Sequence, residues 1–556
     1  MTFLTPTIMA GEDWRGLEIA LCRLMAHCGW QGVQDIARSG DKGADILAVR
    51  PNAALGKTQT YLVQVKAVTS GNYVTKAAIQ QAIEAQGHYR SDIIIVATNG
   101  DFLQSARKRA EELKTHGFDV RLWNGAFLRT LLEKSPLFSA NRRTLRHYQA
   151  DIRDTVGRSI DQGSKRSLFI VATGLGKTVI ASSIAQQAYE NGLKKILVLC
   201  HATDLAYQLQ REFWAQVSKD ISTRVFLDGE PPVPIEGINF GLYQSFYNNL
   251  GGIAPDAFDL VIVDEAHHAL ANAFALSINH LTPKHLVGMT ATPWRGDGES
   301  IETIFGEPIA KISLLDGMKW GFLSSVDYRL MCDNIDWEEV PKLSRSSLSI
   351  RDLNKRLFLP QRDEAVIDQL CEVANELDDP RIAIFSPSIN HAEEFAKKLS
   401  SRGISCANAS TSDRAKRRAI LMDFSAGRLK AISAVDVLNE GIDVPDVNMI
   451  VFLRATHSRR IFVQQLGRGL RLAQGKEKVI VLDFVTDIRR MAAIVSFDRE
   501  VKDEIERGSV ERLWLNRDAV KFSNDKAQNF IEAWLDDVAS LEDSDESQQL
   551  TFPDMA

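Results

Sequence analysis

Leu17, Ala20, Leu21, Leu24 and Met25 place apolar side chains three and four residues apart, which predicts a helix over 12–30 that Gly29 ends. Two short runs rich in branched and aromatic residues follow, 45–49 and 60–66, and the stretch from Pro51 to Gly56 predicts a hairpin loop between them. Helices over 75–89, 103–116 and 125–133 then alternate with extended segments at 93–97 and 120–123, completing an α/β unit of about 135 residues. Beyond Lys134-Ser-Pro136, strands and helices alternate in the manner of a parallel sheet with crossover helices. The runs 168–171, 196–199, 260–263 and 286–289 are continuously apolar, as strands covered on both faces are. A polar stretch over 333–365 interrupts them, and 382–385, 431–434, 449–453 and 479–484 resume the pattern as a second sheet.

Length agrees with several units, since 556 residues at about 150 per domain predict three to four. With 45% hydrophobic and 25% charged residues, the chain is not collagen-like, coiled-coil or wholly disordered. The net charge of −6 gives no uniformly basic coat, yet it leaves room for a local basic groove. Residues 1–140 carry 16 Lys and Arg against 13 Asp and Glu, a sign compatible with phosphate contact. Arg107-Lys-Arg109, the densest basic cluster there, serves either phosphate contact or a solvated helix face. Six cysteines without a C-x-x-C pair indicate neither zinc nor a disulfide framework, so a reducing cytosol is the simplest setting. With no basic-then-apolar leader pattern at the start and no run of 18 apolar residues, neither export by that route nor a membrane span is expected. From Ser523 to Ala556, nine acidic residues face only Lys526, which predicts a solvated disordered tail or, alternatively, a DNA mimic guarding a basic groove.

The chemistry begins at Val171-Ala-Thr-Gly-Leu-Gly-Lys-Thr178, set between an apolar run and a helical one. Small residues such as Thr173, Gly174 and Gly176 let backbone N–H groups close around phosphates. Lys177 supplies a point charge to the β and γ oxygens, and Thr178 offers its hydroxyl to Mg²⁺. Val171 stands where the general pattern has glycine. Val261-Ile-Val-Asp-Glu-Ala-His267 then delivers two acids at a strand end: Asp264 to hold Mg²⁺, and Glu265 to orient and deprotonate the attacking water. His267 and His268 lack partners at ligand spacing, so interface or packing roles are expected of them. Packing is likewise expected of Tyr243, Trp294 and Trp320, with base stacking as the alternative.

An ordered set of segments surrounds these two: His147-Tyr-Gln149, Leu199-Cys-His-Ala-Thr-Asp-Leu205, Leu242-Tyr-Gln-Ser245 and Gly288-Met-Thr-Ala-Thr-Pro293. After the polar stretch come Phe385-Ser-Pro-Ser388, Asn439-Glu-Gly-Ile-Asp-Val-Pro445 and Gln464-Gln-Leu-Gly-Arg-Gly-Leu-Arg471. Together they resemble a superfamily 2 helicase or translocase of the DEAH type, close to the restriction-subunit and XPB-like branch, across residues 140–485. That resemblance implies an ATP motor with the nucleotide between two RecA-like domains. It implies that Gln149 reads adenine, that Asp443 and Gln464 join the nucleotide site, and that Thr290 to Thr292 couple it to the domain interface. Arg468 and Arg471 would reach the γ-phosphate from the opposite domain.

At the front, Gln64 and Lys66 share one strand face. A symmetric ten-residue loop over 50–59 would make facing positions sum to 109 and set Asp45 opposite Gln64. Asp45 and the Gln64 carbonyl suit Mg²⁺, with Lys66 steering water or neutralising charge, a set fit for phosphodiester hydrolysis. With Glu18 on the first helix, Gly43-Ala-Asp45 and Gln64-Val-Lys66, residues 10–133 resemble the Mrr-like restriction endonucleases of the PD-(D/E)xK fold. Gln64 replaces the Glu of the broader fold, which predicts weaker metal binding. The rival is an inactive DNA-binding remnant in which Asp45 and Lys66 form a surface ion pair.

The expected architecture is therefore α/β throughout: a restriction-endonuclease-like domain (1–138), two tandem RecA-like parallel-sheet domains (139–325 and 366–490) joined by a linker (326–365), and a small C-terminal helical and acidic segment (491–556). The expected activity is an ATP-driven DNA motor with a Mg²⁺-dependent nuclease, in restriction or defence, acting on double-stranded DNA and not on membranes. No N-P-P-[FY] or D-P-P-[FY] methyltransferase signature occurs, so protective modification is assigned to a further subunit. Three alternatives stay open at this point: a repair remodeller whose first domain only binds DNA, an RNA-directed helicase, and a nucleotide-gated scaffold.

Overall fold

The computed structural model describes residues 3–36, 43–52, 57–69, 71–226, 232–270, 272–291, 301–331, 338, 340–343, 347–357, 363–411, 413–435, 447–453, 478–484 and 549–551. Its first sheet takes Gln31–Asp35 (β1), Ile46–Asn52 (β2), Lys57–Lys66 (β3), Ile93–Thr98 (β4) and Asp119–Trp123 (β5) in that order. The first three strands are antiparallel, and the last two join β3 in parallel. Side chains alternate along each strand. Ile46, Ala48 and Val63 therefore pack under helix Trp14–His27 (α1), while Leu47 and Leu62 pack under Lys76–Tyr89 (α2) and Gln104–Thr115 (α3).

The hairpin keeps the expected register, pairing Ile46 with Val63, but its arms stay paired out to Asn52 and Lys57. The turn is thus shorter than ten residues, because Arg50, Pro51 and Asn52 remain extended and Asn52 Nδ2 donates to Gln59 Oε1 at 2.8 Å. β1 lies outside every predicted element: it is an edge strand on which only Val33 is buried, so it lacks the apolar alternation that announces a strand.

Two parallel sheets follow. The second sheet is built on Arg166–Val171 (β6), Lys195–Cys200 (β7), Thr223–Val225 (β8), Gly237–Leu242 (β9), Leu260–Val263 (β10), His285–Thr290 (β11) and Pro308–Ile312 (β12), in the order β8-β9-β7-β10-β11-β6-β12. Helices His147–Asp161 (α4), Lys177–Glu190 (α5) and Thr203–Trp214 (α6) flank it. The third sheet takes Ser325–Met331 (β13), Ile382–Phe385 (β14), Cys406–Asn408 (β15), Ala431–Ala434 (β16), Met449–Phe452 (β17) and Lys478–Phe484 (β18), in the order β13-β18-β17-β14-β16-β15. Helix Arg414–Ser425 (α7) connects β15 to β16.

Here the expected linker needs correcting. Residues 325–331 pair in parallel with 478–484 and form the edge of the third sheet, because Val326 is drawn into the same apolar core as Val479 and Val481. Within the same stretch, Ser347–Ser349 pairs antiparallel with Gln549–Thr551, so a strand near the chain end returns to the presumed linker. The rest of the acidic segment lies outside the described residues. No described helix is long and apolar enough to cross a membrane.

The first sheet is fastened to the second. Trp214, 2% exposed, sits in the same apolar cluster as Leu17, Leu21, Leu128 and Leu132. Arg23 lies over the Phe3 ring at 4.8 Å and donates to the Ser218 carbonyl at 3.0 Å, and Lys219 Nζ donates to the carbonyls of Ser135 and Leu132 at 2.7 and 3.1 Å. Burial pushes the Arg23 guanidinium down to about 9, with Asp220 opposing the shift. Trp214→Ala is expected to cost about 3 to 5 kcal/mol, the usual range for a buried aromatic. A thermal midpoint that did not move would show the seam to be loose.

Candidate active sites

β6 leads into the loop 172–176, and α5 starts at Lys177. Gly174 and Gly176 adopt φ of 88° and 86°, and a Cβ on Gly176 would meet Gln149 Nε2 at 2.7 Å, so a larger residue there is strained and crowded at once. Loop amides and the start of a helix are a ready anion site. Gln149 steadies this loop: its Nε2 donates to the Leu175 carbonyl at 2.8 Å, while its Oε1 accepts from the Arg146 N–H at 2.9 Å. The Tyr148 hydroxyl donates to the same Leu175 carbonyl at 2.5 Å.

Beside the loop, β10 ends in Asp264 and Glu265. Glu265 holds a left-handed φ of 47°, and its N–H donates to Asp264 Oδ1 at 2.9 Å. Lys177 Nζ donates to Glu265 Oε1 at 2.9 Å, and Glu265 Oε2 lies 3.3 Å from His267 Nδ1, which meets Thr290 Oγ1 at 2.9 Å. Burial and the neighbouring Glu265 charge push the Asp264 carboxyl above the usual carboxylate range. Burial also works to raise Glu265, but Lys177 and then His267 outweigh it and hold that carboxyl low. One acid is thus kept charged and the other made reluctant to ionise without a cation. His267 belongs to a line running from Glu265 to Thr290.

A second cluster forms in the first sheet, where β2 begins and β3 ends. Asp45, just before β2, is 6% exposed; its Oδ2 accepts from the Val65 N–H at 2.5 Å and from Gln64 Nε2. Its own N–H donates to the Val63 carbonyl at 2.9 Å, so it lies just beyond the Ile46–Val63 pair that ends the regular ladder, and its carboxylate reaches the Gln64 side chain. Glu18 on α1 is 4% exposed, and its carboxyl is raised to about 7, by burial first and then by Asp45, with Arg15 opposing and Asp35 adding. Arg15 Nη1 donates to Glu18 Oε2 at 2.5 Å, and its Nη2 is paired with Asp35. Gln64 Oε1 is buried without a hydrogen-bond partner. Lys66 is half-buried, and no ion pair joins it to Asp45 among the described residues, which is not the surface ion pair of the remnant alternative.

An orphaned carbonyl oxygen beside Asp45, whose charge is felt by Glu18, is a donor set that a hard divalent cation fits. The described residues include no cluster of three or more His, Cys, Asp or Glu side chains suited to a metal. The sequence pointed to Asp45 and the Gln64 carbonyl as the metal donors, and the structure sets Glu18 in electrostatic reach of Asp45.

Comparison with known proteins bears on both clusters. Residues 9–132 match the model of a restriction endonuclease family, residues 142–295 that of the type III restriction enzyme res subunit, and residues 364–473 that of the helicase conserved C-terminal domain. The chain joins a restriction-endonuclease domain to a superfamily 2 helicase core. The chain is 26% identical over 357 residues to the protein named ATP-dependent helicase IRC3 in Saccharomyces cerevisiae, covering 61% of this chain and 51% of that one. It is 26% identical over 381 residues to the type I restriction enzyme EcoAI endonuclease subunit of Escherichia coli, covering 61% and 46%. The chain thus spans about half the length of these relatives. In fold it is similar to the DNA-bound type ISP restriction-modification enzyme LlaBIII, with a TM-score of 0.51 at 17% identity, covering 87% of this chain and 37% of that one.

On the helicase core, the structure brings Gln149, Thr173, Gly174, Gly176, Lys177, Thr178, Asp264 and Glu265 to one end of the second sheet. Asp443, Gln464, Arg468 and Arg471 lie outside the described residues, as do Thr292 and Trp294. Tyr243 packs on Phe274 at 4.4 Å. Trp320 stacks on Tyr148 at 5.4 Å yet stays 40% exposed. In the endonuclease domain, Arg107 and Arg109 pair with Asp101 and Glu112 of the same domain, as a solvated face does.

Arg15 and Asp35 are the site residues that sequence reasoning missed. The three-residue spacing of Arg15 and Glu18 on a helix could have flagged the first, whereas nothing local marks Asp35. Because a protonated Glu18 cannot bind a cation, Mg²⁺ affinity at this site is expected to rise with pH, by about tenfold per unit below about 7, and to level off above it. Arg15→Ala removes a charge that lowers Glu18 and should move the plateau to higher pH. Mg²⁺ titrations between pH 6 and 8 that showed no slope would contradict this assignment.

Proposed function

We propose that this chain is an ATP-driven double-stranded-DNA translocase carrying its own Mg²⁺-dependent endonuclease, and that it serves restriction or defence against foreign DNA. The observation that carries the reading is the buried, unpartnered Gln64 Oε1 beside Asp45 and Glu18: a module that merely binds DNA has no use for it.

In the motor, ATP is the substrate. Lys177 leaves Glu265 for the incoming phosphates, which frees Glu265 to orient water and take its proton. Thr178 and Asp264 would hold Mg²⁺, and Arg468 and Arg471, outside the described residues, are assigned to the γ-phosphate on the resemblance alone. Turnover then follows closure of the two domains, and repeated closure moves DNA. In the endonuclease, Asp45, Glu18 and Gln64 Oε1 would hold Mg²⁺, which when bound supplies Lewis-acid polarisation of the scissile phosphate. Lys66, the one cation of the motif without an ion pair among the described residues, balances charge developing there. Because a relative is named as one subunit of a type I enzyme, a separate modification chain is part of the proposal.

The test is incubation of the purified chain with supercoiled plasmid, Mg²⁺ and ATP, alongside ATP turnover with duplex DNA or matched RNA. Broken plasmid and stimulation by duplex DNA are expected. Intact plasmid with full ATP turnover would reduce the first domain to a binding module, and stimulation by RNA alone would overturn the DNA assignment.

A further inference from the structure

α7 belongs to the third sheet, yet it touches the first. Arg418 Nη1 donates to the Ile36 carbonyl at 3.2 Å. The Ile36 N–H in turn donates to the Asp45 carbonyl at 2.8 Å, and the Asp45 N–H donates to the Val63 carbonyl at 2.9 Å. A continuous line of hydrogen bonds therefore runs from the second helicase domain to the backbone of an endonuclease-site acid. Four residues on, and so on the same face of α7, Met422 is 7% exposed in the cluster that holds Ala78 and Ala82 of α2 with Leu47 and Leu62 of the sheet. Asp35, the neighbour of Ile36, is tied through Arg15 to Glu18, so the same short segment reaches both acids.

The two attachments differ in kind. Trp214, Arg23 and Lys219 bury the seam with the first helicase domain, so the endonuclease travels with that domain. α7 travels with the other. A motor that hydrolyses ATP by closing two domains on each other must work the Arg418 contact in each cycle.

We propose that Arg418 is a positioning residue for the endonuclease, setting Asp45 through Ile36 so that the geometry of the cutting site answers to the arrangement of the two helicase domains. This rests on the reading of Glu18, Asp45 and Gln64 as a nuclease site.

Hydrogen exchange on the full chain, with and without a non-hydrolysable ATP analogue, tests it. In the wild type the peptide containing Ile36 and Asp45 should change its exchange rate by about tenfold on adding the analogue, the weight of one charge-assisted hydrogen bond. Arg418→Ala should exchange at one rate in both conditions. Arg417→Ala, whose guanidinium bonds the Thr411 carbonyl within its own domain, should keep the response. A wild type without the response, or Arg418→Ala with it, overturns the proposal. Should Arg418→Ala loosen the whole fold, seen as faster exchange in 260–263, Arg418→Lys decides: a retained response supports the link and a lost one rejects it. Plasmid cleavage separates the two readings. A chain that responds but never cuts defeats the nuclease assignment and leaves the link standing, whereas one that cuts without responding defeats the link alone.

Discussion

Lys177→Ala is expected to lower ATP turnover by about 10² to 10³, the scale for removing one preorganised charge from a developing transition state. The phosphate oxygens lose the counter-charge that Lys177 brings when it leaves Glu265. Glu265→Gln removes the base instead: turnover should fall by about 10² to 10⁴, while nucleotide binding persists. Phosphate release and fluorescent-nucleotide binding measure the two quantities. If Lys177→Ala turned over ATP at the wild-type rate, the loop after β6 would not be the catalytic phosphate site.

Asp45→Ala should abolish Mg²⁺-dependent cleavage, a loss of at least about 10³ if the metal supplies several kcal/mol of charge stabilisation. ATP turnover should stay at its wild-type value. The substitution also strands the Val65 N–H and Gln64 Nε2, each an unmet donor at about 1 to 3 kcal/mol, so Asp45→Asn is the better-shaped companion. Gln64→Glu should act in the opposite direction by restoring a carboxylate and lowering the Mg²⁺ concentration needed for cutting. Cleavage surviving in both Asp45 variants would remove this cluster from the chemistry.

How much of this is legible in the sequence depends on whether the chemistry is local. The phosphate loop and the Asp264-Glu265 pair are, because a strand end and a helix start fix their spacing within a few residues. The hairpin pairing is legible for a subtler reason: a loop drawn over 50–59 is too long at both arms by equal amounts, and equal errors cancel in an antiparallel register. β1 is polar on an edge and betrays itself by no period. Asp35 joins Arg15 across 20 positions, a distance over which single-chain patterns are silent. Residues 325–331 lie between the last apolar run of the first helicase sheet and the polar stretch 333–365, and only their partner at 478–484 reveals them as a strand.

The seam around Trp214 has a practical corollary. Deleting the front module would lay an indole, the Ser218 carbonyl and the Lys219 ammonium open to water, giving the remaining motor a sticky, mismatched scar. Separating the two enzymes would therefore call for repainting that surface with polar residues, since neither half was shaped to stand alone.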